Sequence, residues 1–561
     1  MPVSQTVASL VETLAEIVGP RHVRTALPER VTYAKDGLPT LRRVPGVVVL
    51  PGSRDEVIAI VRLLSALGMP FVPRGAGTGL SGGALADGDA VLIVLTRLNR
   101  ILKIDARNRL AVVEPGVVNV RLSVAAAPHG LQYTPDPSSQ TACTIGGNVA
   151  ENAGGPHCLK YGVTATHVLA LEVVLADGRV VELGSPGGEP WGPDLVGLFV
   201  GSEGNFGVAT RITVRLLPVA RAVRTLLADF TSLRTAGEAV SAVIASGIVP
   251  AALEMMDQSC IRAVEDSVYA AGYPRDAAAV LLADFTSLRT AGEAVSAVIA
   301  SGIVPAALEM MDQSCIRAVE DSVYAAGYPR DAAAVLLAEL DGGHEAAVTA
   351  DAETIEAVLR AHGARAVRVA ADAQQRERLW LGRKKAFGAM GRLSRDLVVQ
   401  DAVVPRSTLP DVLETIARIA AEYGLTVSNV FHAGDGNLHP NISFDGRTPG
   451  LRERVEAASA EIMATCIAAG GTITGEHGIG LDKLRYMPLL FDGDSLAAMR
   501  AVRRVWDPEE RVNPGKVVPV HACREWSGVR NAEWGVRSGT SPVDSALRTP
   551  HSALDAEAGV R

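Results

Sequence analysis

The stretch Pro73-Arg74-Gly75-Ala76-Gly77-Thr78-Gly79-Leu80-Ser81-Gly82-Gly83 decides much of the fold. It follows a short apolar segment, Pro70 to Val72, that is typical of a β-strand. Five glycines in nine residues let backbone N–H groups converge on an anion without interference from Cβ atoms. A pyrophosphate is a natural ligand for such a loop, and a glycine-rich turn without a ligand is the alternative. The candidate contacts are Pro73, Arg74, Gly75, Gly77, Thr78, Gly79, Ser81 and Gly82.

The spacing of Gly77, Gly79 and Gly82 also matches the GxGxxG pattern of Rossmann dinucleotide-binding domains. Two features argue against that interpretation. No clear helix begins within the glycine run, and Arg97 stands about twenty residues further on, where a Rossmann domain has an acidic residue. An NAD-dependent Rossmann enzyme therefore remains as an alternative only.

Two further loops combine glycine with polar residues. One runs from Pro135-Asp136-Pro137 through Gly146-Gly147-Asn148 to Gly154-Gly155, and the other is Gly201-Ser202-Glu203-Gly204-Asn205-Phe206-Gly207. Three such loops between strands of one domain suggest a long ligand that is held at several points. The candidate contacts in these two loops are Pro135, Asp136, Gly146, Gly147, Asn148, Gly154, Gly201, Glu203, Gly204 and Gly207.

Composition excludes several classes of protein. With 48% hydrophobic residues among 561, the chain is too apolar to be disordered. A net charge of -8 and 4% aromatic residues argue against nucleic-acid binding. No run of about 18 uncharged apolar residues predicts a membrane span, and the N-terminus lacks the basic start of a signal peptide. The six cysteines form no CxxC pair, so we expect neither an iron–sulfur cluster nor a structural zinc site, and a cytoplasmic, reducing location.

A perfect repeat interrupts the second half of the chain, because residues 226–280 and 281–335 are identical letter for letter. Functional repeat arrays drift in sequence and usually need at least three units. Two perfect copies therefore indicate a recent tandem duplication or an assembly error. Each unit predicts strand, helix, strand, helix. One place in a sheet has one set of neighbours, so we expect the second copy at a sheet edge or outside the sheet. A nonfunctional product of the duplication is a further alternative.

Three zones divide the chain. Residues 40–217 contain short strands and glycine-rich loops, whereas residues 218 to about 480 alternate strands with longer helices, an α+β pattern. Residues 519–561 are polar and without periodicity, and we predict that this tail is disordered.

The second zone carries two histidine motifs. In Phe431-His432-Ala433-Gly434-Asp435-Gly436-Asn437-Leu438-His439 the glycines disfavour a continuous helix, so a turn must bring the two imidazoles together. Gly475-Glu476-His477-Gly478 follows. Two histidines and one carboxylate can bind Zn²⁺ or Mn²⁺, and hydrogen-bonded scaffolding is the alternative. Adjacent side chains of an extended chain point to opposite sides, so we do not expect Glu476 and His477 to bind one metal.

Together these motifs resemble the vanillyl-alcohol oxidase (PCMH-type) superfamily of FAD-binding proteins, and the later ones resemble its 2-hydroxyacid branch of glycolate oxidases and D-lactate dehydrogenases. The resemblance implies an α+β fold. A PCMH-type FAD-binding domain would span residues 1–217. An antiparallel-sheet cap would span residues 218–518, and its end, about 485–518, would return to the FAD domain. In covalent members a histidine follows the glycines of the first loop; Thr78 lies in that neighbourhood here, so the FAD should be non-covalent.

The resemblance also implies roles for individual residues. His432, His439 and Glu476 correspond to metal ligands, and His477 corresponds to the catalytic base. Arg383, in the Trp380-x-x-Arg383 motif, corresponds to the arginine that binds the substrate carboxylate. Asn513, in Asn513-Pro514-Gly515-Lys516, belongs to the closing motif that returns to the FAD domain.

The implied reaction is oxidation of glycolate or D-lactate to the 2-oxo acid, with hydride transfer to flavin N5. Because the chain has no cysteine cluster, the resemblance implies an iron–sulfur partner subunit and a second FAD-domain-like subunit. These would pass electrons to a membrane quinone and hold the chain at the inner face of the membrane. A D-lactate dehydrogenase that acts alone is one alternative. A noncatalytic FAD-binding subunit is another, but it would need neither His432 and His439 nor His477.

Overall fold

The computed structural model describes residues 3–187, 192–230, 252–257, 307–312, 334–361, 366–391 and 393–519, together with Ala239 and Ala242. Its α-helices are α1 (Val3–Val18), α2 (Leu27–Val31), α3 (Arg54–Ala66), α4 (Asn119–Ala126), α5 (Ile145–Glu151), α6 (Cys158–Tyr161), α7 (Leu195–Phe199), α8 (Glu345–Ala361), α9 (Ala373–Met390), α10 (Leu409–Glu422), α11 (Leu451–Ala468), α12 (Met487–Leu490) and α13 (Gly493–Trp506). Short 3₁₀ turns cover Pro20–His22, Leu95–Arg97, Ala127–His129, Thr164–Thr166, Arg406–Thr408 and Leu484–Tyr486.

The strands alternate with these helices along the chain. They are β1 (Val23–Arg24), β2 (Val47–Val49), β3 (Phe71–Arg74), β4 (Val91–Val94), β5 (Ile101–Asp105), β6 (Leu110–Val113), β7 (Leu131–Gln132), β8 (Val168–Val174), β9 (Val180–Gly184), β10 (Val208–Arg215), β11 (Leu217–Pro218), β12 (Ala222–Phe230), β13 (Ala252–Asp257), β14 (Ala307–Asp312), β15 (Ala334–Gly342), β16 (Val367–Val369), β17 (Asp396–Val399), β18 (Ala402–Val403), β19 (Thr426–His432), β20 (Asn437–Leu438) and β21 (Pro440–Phe444).

A four-stranded sheet in the order β1-β2-β4-β3 carries the first glycine loop. Strands β2 and β3 both run parallel to the central β4, and the apolar runs of β2 and β4 are buried. Helix α3 provides the crossover; Ser53 caps it by accepting a hydrogen bond from the Glu56 N–H. The predicted strand before the glycines is confirmed, and the glycine run starts where β3 ends and contains no helix.

A five-stranded antiparallel sheet in the order β5-β6-β10-β8-β9 positions the third loop. Its central strand β10 begins immediately after Gly207 and pairs with both β6 and β8. The glycines Gly146 and Gly147 lie in the first turn of α5, where the Thr144 hydroxyl accepts a hydrogen bond from the Gly147 N–H at 3.3 Å. All three glycine loops therefore emerge from elements whose apolar faces are buried.

A ten-stranded sheet dominates the second half of the chain, in the order β16-β12-β15-β13-β14-β19-β20-β18, with β17 and β21 attached through β19. Its longest pairing is antiparallel, between β12 and β15. Among the described strands of this sheet, β13 and β14 form a parallel pair and the other pairings are antiparallel. The α+β prediction is confirmed.

The duplicated strands β13 and β14 lie inside this sheet. They carry the same letters and pair in register, Ala252 opposite Ala307. Each also pairs with Ala338 of β15 and with Phe431 of β19. A strand has two edges, so two strands with the same neighbours share one place in the sheet. The expectation that the second copy lies at an edge or outside the sheet stays a prediction, because both strands have the same neighbours. The helices predicted in the repeat lie outside the described residues, apart from Ala239 and Ala242.

The end of the cap returns to the first sheet. The Phe71 N–H donates to the Arg511 carbonyl at 2.9 Å, and the Asn513 N–H donates to the Phe71 carbonyl at 2.8 Å. Lys516 is buried, and its ammonium donates to the Gly83 carbonyl at 2.8 Å. The predicted tail, beyond Pro519, lies outside the described residues. Among the helices that are described, none has the length and hydropathy needed to span a membrane.

Candidate active site

One cavity of about 660 Å³ connects the glycine loops with the imidazoles of the cap. Thirteen of the residues predicted to bind the cofactor line it: Pro73, Arg74, Gly75, Gly77, Thr78, Gly79, Gly146, Gly147, Asn148, Gly154, Glu203, Gly204 and Gly207. The residues with predicted chemistry, Arg383, His432, His439, Glu476 and His477, line it as well. The structure thus brings together two groups that lie more than 170 residues apart in the sequence.

The glycine loops form one end of the cavity, which we call the cradle. It fits a ligand that approaches the backbone closely. A Cβ atom on Gly77, whose φ is +72°, would lie 2.1 Å from the Arg74 guanidinium. A Cβ on Gly75 would lie 2.4 Å from the Thr144 hydroxyl, and one on Gly146 would lie 2.9 Å from the Pro115 carbonyl. Side chains at these positions are excluded, so this end of the cavity is walled by backbone, as a dinucleotide pyrophosphate requires.

Several predicted contacts hold the loops in place. The Arg74 guanidinium donates to the Lys35 carbonyl at 2.7 Å, and Asn513 donates to the Gly83 carbonyl at 3.1 Å. The Glu203 carboxylate accepts hydrogen bonds from Ile479 N at 2.6 Å and Gly480 N at 2.8 Å, so it joins the third loop to the histidine motif. The other predicted contacts, Ser81, Gly82, Pro135, Asp136, Gly201 and Asn513, are not among the residues that line the cavity.

The predicted turn between His432 and His439 is present. Strand β19 ends at His432, the chain turns at Ala433–Gly436, and the two rings meet edge to face with centroids 5.3 Å apart. Glu476 Oε1 lies 3.1 Å from His432 Nε2 and 3.7 Å from His439 Nε2. The three ligand atoms lie within 4.8 Å of one another, and the buried His439 Nε2 has no hydrogen-bond partner among the described residues. This donor set fits Zn²⁺ or Mn²⁺.

The charges of this cluster are strongly coupled. Burial alone would lower the pKa of His432, but the Glu254 and Glu476 carboxylates raise it well above its usual value. Burial alone would raise the pKa of Glu476, but the charged imidazole of His432 lowers it to about 2. Glu476 is therefore an anion at neutral pH, as a metal ligand must be.

His477 shares the cavity with Glu476. Its ring stacks on that of His439 with centroids 4.7 Å apart, and its Nε2 lies 3.9 Å from Glu476 Oε1. The two side chains lie on the same side because Thr474–Gly480 forms bends and not an extended strand. Glu476 and His477 fall into different groups of possible ligands, and that they do not bind one metal stays a prediction. Burial lowers the pKa of His477 to about 4, so its imidazole is neutral at physiological pH and can accept a proton.

Asp401, which the sequence analysis missed, gives this loop its shape. Its carboxylate accepts hydrogen bonds from Gly475 N at 3.0 Å, His477 N at 2.9 Å and the Thr474 hydroxyl at 2.5 Å. The buried Lys483 ammonium lies 3.0 Å away and holds the pKa of Asp401 well below its usual value against the effect of burial. Asp401 also lies within ligand distance of His439 and His477, but these contacts occupy both of its oxygens.

Arg383 lies on α9, one turn after Trp380, and is buried. Its guanidinium contacts the carboxylate of Glu254 on β13, and the second oxygen of Glu254 contacts His432 Nδ1. Burial raises the pKa of Glu254 to about 8 and His432 opposes that shift, while the Arg383 guanidinium in direct contact favours the ionised carboxylate further. Trp380 Nε1 donates to Glu339 on β15, and His157 of the first domain lies 3.5 Å from the same carboxylate.

Neither Glu254 nor Asp401 could be recognised from the sequence. Glu254 lies within the repeat, in a segment that predicts a strand and contains no motif, and Asp401 is an isolated carboxylate between β17 and β18. The structure reveals them because Glu254 contacts His432, 178 positions away, and Asp401 contacts Thr474, 73 positions away. An acidic residue in a predicted buried strand is the one signal that could have indicated Glu254.

Family comparisons agree with this geometry. The "FAD binding domain" family matches residues 45–184, and the family "FAD linked oxidases, C-terminal domain" matches residues 219–289 and 276–517. The second match comes in two overlapping pieces that meet within the repeat. The prediction of an FAD-binding, two-part flavoprotein is confirmed.

Curated relatives cover nearly the whole chain. The glycolate oxidase subunit GlcD of Escherichia coli K12 is 44% identical over 502 residues, 89% of each chain. The Bacillus subtilis GlcD is 36% identical over 90% of this chain and 96% of its own. A D-lactate dehydrogenase of Anaerostipes hadrus is 30% identical over 84% of this chain and 89% of its own.

Solved structures share the fold. A p-cresol methylhydroxylase superposes with a TM-score of 0.68 at 17% identity, covering 91% of this chain and 97% of its own. A 4-ethylphenol oxidase from Gulosibacter chungangensis gives 0.67 at 20% identity, covering 92% and 98%. The cavity joins a backbone cradle to a buried histidine–carboxylate cluster, in agreement with these relatives. The chain belongs to the FAD-linked oxidases of the PCMH-type (vanillyl-alcohol oxidase) superfamily, in the group that contains the GlcD glycolate oxidase subunits.

Proposed function

We propose that this chain oxidises a short 2-hydroxy acid, glycolate or D-lactate, to the corresponding 2-oxo acid. The observation that carries the proposal is the single cavity in which the glycine loops, Arg383, Glu476 and His477 all take part. The names of the relatives at 44% and 30% identity support the same two substrates. FAD, when bound, supplies the two-electron acceptor, and a metal ion, when bound, polarises the oxygens of the substrate.

Each functional residue of the cavity has a separate proposed role. His477 is neutral and takes the proton of the substrate hydroxyl, while Asp401 holds the backbone of its loop. His432, His439 and Glu476 would hold the metal ion. Arg383 binds the substrate carboxylate, and its guanidinium geometry suits a bidentate contact. The buried Arg383 guanidinium contacts the carboxylate of Glu254. Burial lowers the pKa of Arg383 to about 9, and the negative charge of Glu476 opposes that shift.

The cofactor is proposed to be held without a covalent bond, since Thr78 occupies the loop position where attachment would need a histidine. The proposed division places FAD binding in residues 1–217 and the cap in residues 218–518. Acid precipitation of the purified protein should release the flavin into the supernatant. Flavin that stays with the pellet would contradict this part of the proposal.

The electrons must leave the flavin, and the chain has no CxxC motif of its own. The word "subunit" in the names of its relatives supports a complex with other chains. We propose an iron–sulfur subunit and a second FAD-domain-like subunit as partners, with a cytoplasmic location at the inner face of the membrane. Co-purification from the native host, followed by iron analysis, tests this assembly.

A substrate panel tests the activity. Under anaerobic conditions, glycolate, D-lactate, L-lactate and D-2-hydroxyglutarate are each mixed with the flavoprotein, and bleaching of the flavin absorbance is followed. Reduction by glycolate or D-lactate is expected. Preference for D-lactate together with full turnover on a dye acceptor without partners would favour a D-lactate dehydrogenase that acts alone, and reduction by none of the four acids would refute the proposed function.

A further inference from the structure

The carboxylate of Glu254 lies between two functional side chains. It is completely buried, its Oε1 contacts Nδ1 of His432, and its Oε2 contacts the guanidinium of Arg383. The opposite ring nitrogen, His432 Nε2, faces Glu476 at 3.1 Å. A carboxylate on one imidazole nitrogen fixes the ring and directs the other nitrogen to the metal. We propose that Glu254 is a positioning residue that orients His432 toward the metal and restrains Arg383, the arginine that binds the substrate carboxylate.

The sheet gives Glu254 this place. Strand β13 pairs with β19 through Glu254 and His432 themselves, besides Met255 with Phe431. The duplicated strand β14 carries Glu309 at the equivalent position and pairs with β19 in the same register, Met310 with Phe431. Glu254 is the copy whose contacts with His432 and Arg383 the structure describes.

Removal of the charge should change two affinities in opposite directions. Gln at position 254 keeps the shape but loses the anionic acceptor on His432 Nδ1, so the metal should bind more weakly. The same change removes a negative charge that contacts the Arg383 guanidinium, so an anionic ligand should bind more tightly in the metal-free protein. General damage to the site would weaken both, so the opposite signs distinguish positioning from a merely structural effect.

The experiment compares Glu254→Gln with the exposed Glu353→Gln in the full-length, FAD-loaded protein. Mn²⁺ binding is measured from the electron paramagnetic resonance signal of the free ion, and oxalate binding to chelator-treated protein is measured from the flavin spectrum. For E254Q we expect Mn²⁺ affinity to fall about 10- to 100-fold and oxalate affinity to rise several-fold, on the order of ten. E353Q should match the wild type in both.

The inference rests on the proposed function, and the two measurements separate their failures. If wild-type protein binds no Mn²⁺, the proposed metal fails and the oxalate titration alone decides the role of Glu254. Unchanged affinities in E254Q, weaker binding of both ligands, or an equal effect in E353Q would each overturn the inference. An effect that appears only when Glu309→Gln is combined with E254Q would also overturn it, because Glu309 would then serve in place of Glu254. If E254Q does not retain FAD, the same measurements are made on Glu254→Asp, whose side chain is one methylene shorter. A Mn²⁺ affinity equal to that of the wild type in this variant would overturn the inference.

Discussion

The two ends of the cavity are built in opposite ways. The cradle consists of backbone and works because side chains are absent at Gly75, Gly77 and Gly146. The cap end consists of buried charged side chains, each held by another charge: His432 by Glu254, and the loop of Glu476 and His477 by Asp401. A steric site of the first kind fails when an atom is added. An electrostatic site of the second kind fails when a partner is removed, because the remaining charge is left uncompensated.

The largest expected effect is a steric one in the cradle. A Cβ on Gly79 would meet only Glu151 Oε1, at an ordinary contact distance of 3.4 Å, so the protein itself can accommodate a side chain there. Gly79→Leu should therefore fold but fill the cavity where the ligand lies. We expect apo-protein without flavin absorbance and without activity. The matched control is Gly88→Leu on the exposed surface, where the nearest atom is 3.9 Å away. Normal flavin content in G79L would show that this loop does not contact the cofactor.

The next effect tests the proton acceptor of the cap. His477→Asn removes a neutral imidazole but keeps the backbone N–H that donates to Asp401. We expect turnover to fall by about 10²–10⁴ while FAD and metal content stay unchanged. The exposed His344→Asn serves as the control. Turnover within a factor of two of wild type in H477N would exclude His477 as the base. His439→Ala should instead lose the metal.

A smaller effect tests whether the partner charge supports the loop. Asp401→Asn leaves Lys483 buried without its anion and places an amide N–H opposite backbone donors. Loss of one partner from a buried pair costs about 3–5 kcal/mol of unfolding free energy, which urea denaturation can measure against the exposed Asp89→Asn. The folded-state pKa of Asp401 is depressed, so its stabilisation is present above the ordinary carboxyl pKa. The difference between D401N and wild type should therefore shrink as the pH falls below about 4. A difference that is constant down to pH 2 would contradict the ion pair.

The same contrast explains what the sequence could predict. The cradle residues act through local backbone geometry, which requires glycine at particular positions, so the three loops can be recognised as motifs. The turn between His432 and His439 can be recognised in the same way from its glycines. The charge partners Glu254, Asp401 and Lys483 belong to no motif, and tertiary folding alone brings them to the site. The proximity of Glu476 and His477 depends on a similar long-range contact, since the distant carboxylate of Asp401 accepts hydrogen bonds from the backbone of their loop. The shared place of β13 and β14 also depends on neighbours that the repeat does not contain.

The smallest expected effect concerns the repeat and contrasts its two copies. Strands β13 and β14 share the place between β15 and β19, and one strand of this sequence satisfies both neighbours. Deletion of residues 281–335 removes 55 of the 561 residues and leaves 506. Because the copies are identical, deletion of residues 226–280 gives the same protein, so one variant tests both. It should fold at least as well as the full chain, with normal FAD content, activity within about twofold and an equal or higher melting temperature, since a competing arrangement has been removed. Thermal melting and flavin content measure this outcome directly. Loss of FAD or activity would mean that the second copy supports the working sheet in a way that the first alone cannot.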